Sequence, residues 1–178
     1  MVGVLPAGSK YYGTPTVAWV QHVSPDGRFG ELAVPYSAPA TMGWIPLRGL
    51  QRRSTFLQVD VDLSRHRVVI ERRGQVLFGT RAAIGSPSSP TPTGRYFVTD
   101  RVPFPSGGAL GTYAFGISGI QPNLPAGWSG GNQLAIHGTN DPSSIGRSVS
   151  AGCVRVPAGV LRRLIPLLRL GTPIVIHP

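Results

Sequence analysis

The chain has 178 residues, a formal net charge of +10 and 41% hydrophobic residues. Disorder requires low hydrophobicity, so the 24 glycines and 18 prolines indicate a globular protein rich in turns and strands. The length suits one medium domain, or a domain of ~120 residues with a small partner. No segment reaches the ~18 apolar residues of a membrane-spanning helix, and the first eight residues lack the basic and apolar regions of a signal peptide.

The excess of positive charge indicates an acidic or polyanionic neighbour. The arginines are scattered along the chain, often in pairs, without a basic helix or an array of interleaved aromatic residues. Binding to nucleic acid usually needs such a concentrated basic surface. Nucleic acid is therefore not an expected partner.

The first 54 residues are predicted to form an extension to a larger domain. Residues 1–15 form a loose leader rich in glycine and proline, and short β-like segments follow, separated by turn signals. The Gly-Trp-Ile-Pro run at 43–46 resembles the last strand of a bacterial SH3-like module. Two interpretations stay open: a partial SH3-like adaptor, and an irregular structural extension that packs on the main domain. The strands expected here are 16–20, 30–35 and 43–47.

Residues 55–178 are predicted to form a mainly β domain with one short helix. Positions 59–63 alternate between aliphatic residues and aspartate, which predicts a strand with one buried and one solvated face. A hairpin turn is predicted at 72–74, and a helix is predicted over 157–165, interrupted by Pro166. Further strands are expected at 67–71, 75–78, 96–100, 110–117 and 174–176.

A long loop rich in glycine, proline and asparagine is predicted at 118–133, with Trp128 in its middle. A loop of this length inside a compact domain is often functional. Trp128 is expected either to pack on a substrate, with the loop acting as a lid, or to be buried as the anchor of an irregular loop.

The run from His137 to Arg155 contains the only cysteine, Cys153, which cannot form an internal disulfide. An upstream imidazole can take the thiol proton, and backbone N–H groups in the turn around Gly152 can bind an oxyanion. Arg155 would share a face with Cys153 in an extended segment, and could pair with a carboxylate there. For an isolated pair, a structural cysteine beside a turn histidine is the simpler alternative.

This run resembles the signature of the L,D-transpeptidase catalytic domain family, also called YkuD-like. Residues 136–140 (Ile-His-Gly-Thr-Asn) resemble its first half. Residues 90–96 resemble the family's Thr-Pro-Thr-Gly-aromatic region, and residues 170–176 resemble its closing Gly-Thr-Pro-Val strand. The resemblance covers roughly 56–178. The second half of the signature is filled, at a spacing typical of the family, by Ser150, Gly152, Cys153 and Arg155.

The resemblance implies a β-sandwich with one short helix after the catalytic cysteine. It implies a peptidoglycan L,D-transpeptidase that forms 3→3 cross-links through a thioacyl-enzyme on tetrapeptide stems, without a metal or other cofactor. Cys153 is then the nucleophile, His137 its base, Gly138 the carbonyl that orients the base, and Gly152 part of the oxyanion site. The residues expected to bind or order the substrate are Arg155, Ser150, Thr139 and Trp128.

The same resemblance implies partners and a compartment. The expected partners are peptidoglycan stem peptides, anionic cell-wall polymers that a basic surface would hold, and carbapenem-type β-lactams as covalent inhibitors. The working compartment is expected to be extracytoplasmic, in the cell envelope or wall, although no signal or anchor is visible in this chain.

Ala151 departs from the family, which usually has histidine directly before Gly-Cys. On one interpretation His137 is the base, and the loss of a supporting imidazole changes only the rate or the substrate choice. On the other, the site is weakened or inactive and the protein binds the wall without turning it over.

Other chemistries remain as alternatives. Water as the acyl acceptor would make the protein an L,D-carboxypeptidase. Sortases also use His, Cys and Arg, but their histidine lies much further upstream of the cysteine and their Thr-Leu-x-Thr-Cys run is absent here. The histidines of this chain show no metal-ligand spacing.

Overall fold

A computed structural model describes residues 5–37, 41–128 and 131–178. Within these ranges the chain forms strands, one α-helix and one short 3₁₀ helix, so the predicted mainly β fold is confirmed. No helix in the described ranges is long and apolar enough to cross a membrane. The first four residues of the predicted leader lie outside these ranges. The strands are β1 Val20–Val23, β2 Phe29–Ala33, β3 Met42–Pro46, β4 Leu57–Asp62, β5 Arg67–Arg72, β6 Gln75–Arg81, β7 Ile84–Gly85, β8 Gly94–Pro103, β9 Tyr113–Ile120, β10 Gln133–His137, β11 Ser148–Ser150, β12 Val154–Arg155 and β13 Pro173–His177.

The main sheet has eight strands in the order β12-β10-β9-β8-β13-β4-β5-β6. Most neighbours are antiparallel, whereas β13 pairs in parallel with β4 and β10 pairs in parallel with β12. After β6 the chain returns to the opposite edge, where Ala83 and Arg155 exchange two backbone hydrogen bonds of 2.9 Å. A second short pairing, of β7 with β11, accompanies this contact. The sheet therefore curls until its two edges are connected.

The core lies between the concave face of this sheet and helix α1, Ala158–Leu167. Strand β4 alternates strictly between buried and half-buried positions, which confirms the pattern predicted for 59–63. The helix contributes Leu161 and Leu164, both fully buried, while its opposite face carries exposed arginines. Burying an aliphatic side chain of this size stabilises the fold by roughly 1.5–3 kcal/mol.

The helix runs past the proline that was predicted to interrupt it. It ends at Leu167, with Pro166 inside its last turn. Proline lacks the N–H that would donate within the helix, and its ring opposes further helical turns. The Arg101 guanidinium on β8 donates to the Ile165 carbonyl at 2.7 Å, and so satisfies one of the terminal carbonyls.

The N-terminal extension forms its own antiparallel sheet, β1-β2-β3, and also bonds to the main sheet. The Ser9 hydroxyl donates to the carboxylate of Asp100, which is completely buried on β8. The Tyr36 N–H donates to the Ser118 carbonyl on β9 at 2.6 Å. These contacts favour the interpretation of a structural extension, while the relation to an SH3-like module and the domain boundary at residue 54 stay predictions.

Several predicted boundaries were wrong, among them that of the strand expected at 110–117, which begins only at Tyr113. The segment predicted as a strand at 16–20 is mostly irregular, because β1 begins only at Val20. The segment assigned to a loop at 118–133 contains the end of β9 and the first residue of β10. Glycine and asparagine there indicated a loop, but pairing between β9 and β10 overrides local propensity, as it often does in sheets.

We expect Leu164→Ala to lower the free energy of unfolding by about 2–5 kcal/mol, because it leaves a cavity between α1 and the sheet. Arg162→Ala, on the exposed face of the same helix, is the control and is expected to change it by less than about 0.5 kcal/mol. Urea denaturation followed by circular dichroism measures both values. Equal effects of the two substitutions would contradict the packing described here.

Candidate active site

The parallel pairing of β10 with β12 brings together the two halves of the predicted motif. His137 is the Cα partner of Arg155, and the Val156 N–H donates to the His137 carbonyl at 2.9 Å. Burial alternates along the second segment: Val154 and Val156 belong to the core, whereas Cys153 and Arg155 are half-buried. Successive side chains of a strand point to opposite faces. Cys153 and Arg155 therefore share the face that is turned away from the core.

His137 is buried, and its Nδ1 lies 2.5 Å from the Gly138 carbonyl oxygen. A carbonyl can only accept a hydrogen bond, so Nδ1 carries the proton and the lone pair of the neutral ring is on Nε2. Burial lowers the pKa of His137 to about 4, and the positive charge of Arg155 acts in the same direction. The imidazole is therefore neutral at pH 7 and can accept a proton through Nε2. The contact expected between Gly138 and the histidine is present.

Cys153 is a free, half-buried thiol directly before β12. Burial raises the pKa of the Cys153 thiol, and this effect outweighs the opposing influence of the Ala135 backbone and the Arg155 charge. The thiol is consequently protonated at neutral pH. The resting site holds a neutral thiol and a neutral imidazole, so a thiolate has to be generated during the reaction by proton transfer.

The turn before the cysteine is closed by Ser150. Its hydroxyl donates to the Cys153 carbonyl at 2.6 Å and accepts from the Gly152 N–H at 3.0 Å. The Gly152 N–H is engaged in this way, whereas no acceptor for the Cys153 N–H occurs among the described residues. Of the two N–H groups expected to bind an oxyanion, that of Cys153 is therefore the one not already bonded, and the oxyanion role itself stays a prediction.

The guanidinium of Arg155 places a positive charge beside the site. Its charge lowers the pKa values of His137, Cys153 and Asp141, so the guanidinium lies near all three groups. The Nε atom is buried and has no hydrogen-bond acceptor in the described part of the chain. A buried N–H without an acceptor is costly, so a ligand carboxylate that reached this atom would be bound favourably.

Thr139 and Asp141, which follow His137 along the chain, both form hydrogen bonds within the protein. Thr139 Oγ1 accepts from the Asp141 N–H at 3.0 Å. Asp141 in turn accepts from the Ser143 N–H and caps the 3₁₀ helix Pro142–Ser144, so its side chain shapes the turn after Thr139. The substrate-binding roles assigned to Thr139 and Ser150 stay predictions.

Trp128 is half-exposed, and its indole N–H donates to the Gly131 carbonyl at 3.2 Å. The expectation of a buried anchor is therefore wrong. The alternative, contact with a substrate, stays a prediction, because no described contact joins the indole to Cys153 or His137.

Sequence reasoning missed one residue of the site, Gln121, and gave no role to another, Thr91. Both are buried and both bond to the turn before the cysteine. Gln121 Nε2 donates to the Ala151 carbonyl at 3.3 Å, and Thr91 Oγ1 donates to the Gly152 carbonyl at 2.8 Å. The only signal in the sequence was the glycine at 152, which indicates that something packs closely against it.

No group of three or more His, Cys, Asp and Glu side chains that could hold a metal occurs in the ranges 5–37, 41–128 and 131–178.

The family model described as the L,D-transpeptidase catalytic domain, YkuD, matches residues 57–176. A Bacillus licheniformis relative, provisionally named L,D-transpeptidase YkuD, is 30% identical over 121 residues. That match covers 68% of this chain and 66% of the relative, so the chain spans slightly less than two thirds of the relative's length.

Solved structures agree in fold. An L,D-transpeptidase from Mycobacterium smegmatis has a TM-score of 0.57 at 17% identity, covering 92% of this chain and 100% of its own. The L,D-transpeptidase LdtMt1, solved in complex with imipenem, has a TM-score of 0.56 at 19% identity, covering 84% of this chain and 82% of its own. At these identities the likeness concerns the fold alone.

We expect alkylation of Cys153 by iodoacetamide to be slower at pH 7 than alkylation of a free cysteine. The raised pKa reduces the thiolate fraction, so the rate should rise about tenfold per pH unit through the neutral range. Intact-protein mass spectrometry follows the reaction, and Cys153→Ser is the blank because the chain has one cysteine. A rate that levels off below pH 7 would indicate a preformed thiolate–imidazolium pair and contradict the neutral resting site.

Proposed function

Since the chain belongs to the L,D-transpeptidase catalytic domain (YkuD) family, we propose that it is a peptidoglycan L,D-transpeptidase with Cys153 as its nucleophile. The observation that carries the proposal is the neutral His137, with Nδ1 bonded to the Gly138 carbonyl, on the strand next to that of Cys153 and Arg155. A nucleophile, a base whose tautomer is set, and a cation on one face are the parts that acyl transfer by a thiol needs.

The first half of the reaction is acylation. The Cys153 sulfur attacks the carbonyl between the third residue of a tetrapeptide stem and its terminal D-Ala, while His137 Nε2 takes the thiol proton. The tetrahedral oxyanion is bound by the Cys153 N–H. When the C–N bond breaks, the imidazolium returns the proton to the amine of D-Ala, which leaves a thioester on Cys153 and a neutral histidine.

The second half transfers the acyl group. An amine on the third residue of a neighbouring stem loses a proton to His137 and attacks the thioester, and the sulfur leaves. A 3→3 cross-link results, and the proton returns to the thiol. The positive charge of Arg155, close to His137 and Cys153, is suited to a carboxylate of the stem peptide, which would fix the register of the substrate.

The acceptor distinguishes this reaction from L,D-carboxypeptidase activity, in which water attacks the same thioester. A non-catalytic wall-binding protein is the second candidate, and Ala151 is the observation that favours it. The alanine leaves no second imidazole directly before Gly152, although its own carbonyl remains bonded within the site. Catalysis is preferred because His137, Cys153 and Arg155 are all retained and lie on one face.

The proposed setting is the extracytoplasmic cell envelope, where stem peptides are found. A net charge of +10 supports binding to anionic wall polymers. Because LdtMt1 was solved with imipenem, we also propose that carbapenems acylate Cys153.

We expect incubation with tetrapeptide-stem muropeptides to release D-Ala and to leave a thioester on the peptide that contains Cys153. His137→Ala should lower the acylation rate by about 10²–10⁴-fold, because it removes the general base. His177→Ala is the matched control, since that histidine lies on β13 and pairs with Asp60. Mass spectrometry of protein and products measures both.

The products distinguish the candidates. Cross-linked dimers identify a transpeptidase, and free tripeptide identifies a carboxypeptidase. Folded protein that binds sacculi but releases no D-Ala would identify a binding protein and overturn the proposed catalysis.

A further inference from the structure

The two carbonyl groups that precede Cys153 are both held by side chains from distant parts of the chain. The Ala151 carbonyl accepts from Gln121 Nε2 at 3.3 Å, and the Gly152 carbonyl accepts from Thr91 Oγ1 at 2.8 Å. Backbone carbonyls of a surface turn commonly bond to water instead. Here the carbonyls of Ala151 and Gly152, in the turn before Cys153, are both bonded to side chains of the protein instead.

The bond to the Gly152 carbonyl fixes the direction of the proposed oxyanion donor. In a trans peptide the C=O of one residue and the N–H of the next lie in one plane and point in opposite directions. Because Thr91 holds the Gly152 carbonyl on one side, the Cys153 N–H is directed to the other. The same geometry applies one peptide earlier, where Gln121 holds the Ala151 carbonyl and the Gly152 N–H is directed to Ser150 Oγ.

Glycine at 152 makes these contacts sterically possible. Its φ is +111°, and a Cβ at this position would lie 2.1 Å from Gln121 Nε2. Any side chain at residue 152 would therefore displace the Gln121 amide and the peptide that it holds.

Thr91 and Gln121 also form hydrogen bonds to residues outside this turn. Thr91 Oγ1 accepts from the Gly85 N–H at 2.8 Å. Gln121 Oε1 accepts from the Asn123 N–H at 2.9 Å, and its Nε2 also lies within hydrogen-bond distance of the Pro90 carbonyl at 2.9 Å and the Ser89 carbonyl at 3.2 Å. Both side chains are almost completely buried, so solvent does not compete for these bonds. The pair therefore connects the segment 85–91 to the turn at 151–153.

We propose that Thr91 and Gln121 are positioning residues that orient the Cys153 N–H as the oxyanion donor by fixing the peptide groups on either side of Gly152. The proposal rests on the proposed acyl-transfer function. It assigns no chemical step to either residue. Loss of either should impair acyl transfer, which develops an oxyanion, and spare simple alkylation of the thiol, which develops none.

The test compares two reactions of Cys153 in each variant: acylation by a carbapenem and alkylation by iodoacetamide, both followed by intact-protein mass spectrometry. Thr91→Val removes the hydroxyl at nearly constant volume, and Gln121→Leu removes the amide. Thr91→Ser keeps the hydroxyl and serves as the rescue variant. Two matched controls lie away from the turn: Thr172→Val, whose hydroxyl accepts from the Arg169 N–H, and Gln133→Leu, whose amide donates to Asp100.

We expect Thr91→Val and Gln121→Leu to lower the acylation rate about ten- to a hundredfold, the range typical of residues that support a reacting group. Alkylation should change less than about threefold, and Thr91→Ser and both controls should keep the wild-type ratio of the two rates. A ratio unchanged in Thr91→Val would overturn the proposal, as would an equal fall of the ratio in Thr172→Val. If Gln121→Leu does not fold, Thr91→Val and its rescue decide alone. Failure of the wild-type protein to be acylated at all, by carbapenem or stem peptide, would refute the proposed function instead.

Discussion

The parallel pairing of β10 with β12 is the constraint on which the rest of the site depends. Two adjacent parallel strands cannot be joined by a tight turn, so the chain between them has to return through a crossover. That crossover, residues 138–153, carries the Asp141 cap, β11 and the turn before Cys153. The pairing therefore brings His137 and Cys153 to one face, and the crossover that it requires forms the loop between them.

The electrostatics of the site follow from burial more than from charge pairing. His137 and Cys153 are shielded from water, and shielding favours the neutral form of each. A nearby cation stabilises a thiolate and destabilises an imidazolium. The charge of Arg155 therefore opposes the effect of burial on the Cys153 thiol and reinforces the effect of burial on the His137 imidazole. The resting site therefore holds no thiolate–imidazolium ion pair. In the proposed reaction, these charges form only when the sulfur attacks the substrate carbonyl.

The sequence was sufficient for the features that depend on local pattern. The alternation at 59–63 and the hairpin at 72–74 are each encoded within a few neighbouring residues, the motif from His137 to Arg155 lies within one short stretch of chain, and the structure contains all three. Thr91 and Gln121 could not be assigned in this way. Their partners lie 61 and 30 residues away along the chain, and a buried hydrogen bond of such separation leaves no periodic signal. The extent of the helix at Pro166 could not be predicted for a related reason, because Arg101, which bonds to the Ile165 carbonyl in the last turn, lies 64 residues away along the chain.

The contact between Ser9 and the buried carboxylate of Asp100 has a consequence for how the fold is divided. The family model matches from residue 57, yet one of the hydrogen bonds to the buried carboxylate of Asp100 comes from Ser9. Tyr11 adds a second bond from the same region, since its hydroxyl donates to the side chain of Asn132, whose backbone carbonyl accepts from the Gln121 N–H. A chain shortened to the residues that the family model matches would keep Asp100 and Gln121 but lose both of these bonds.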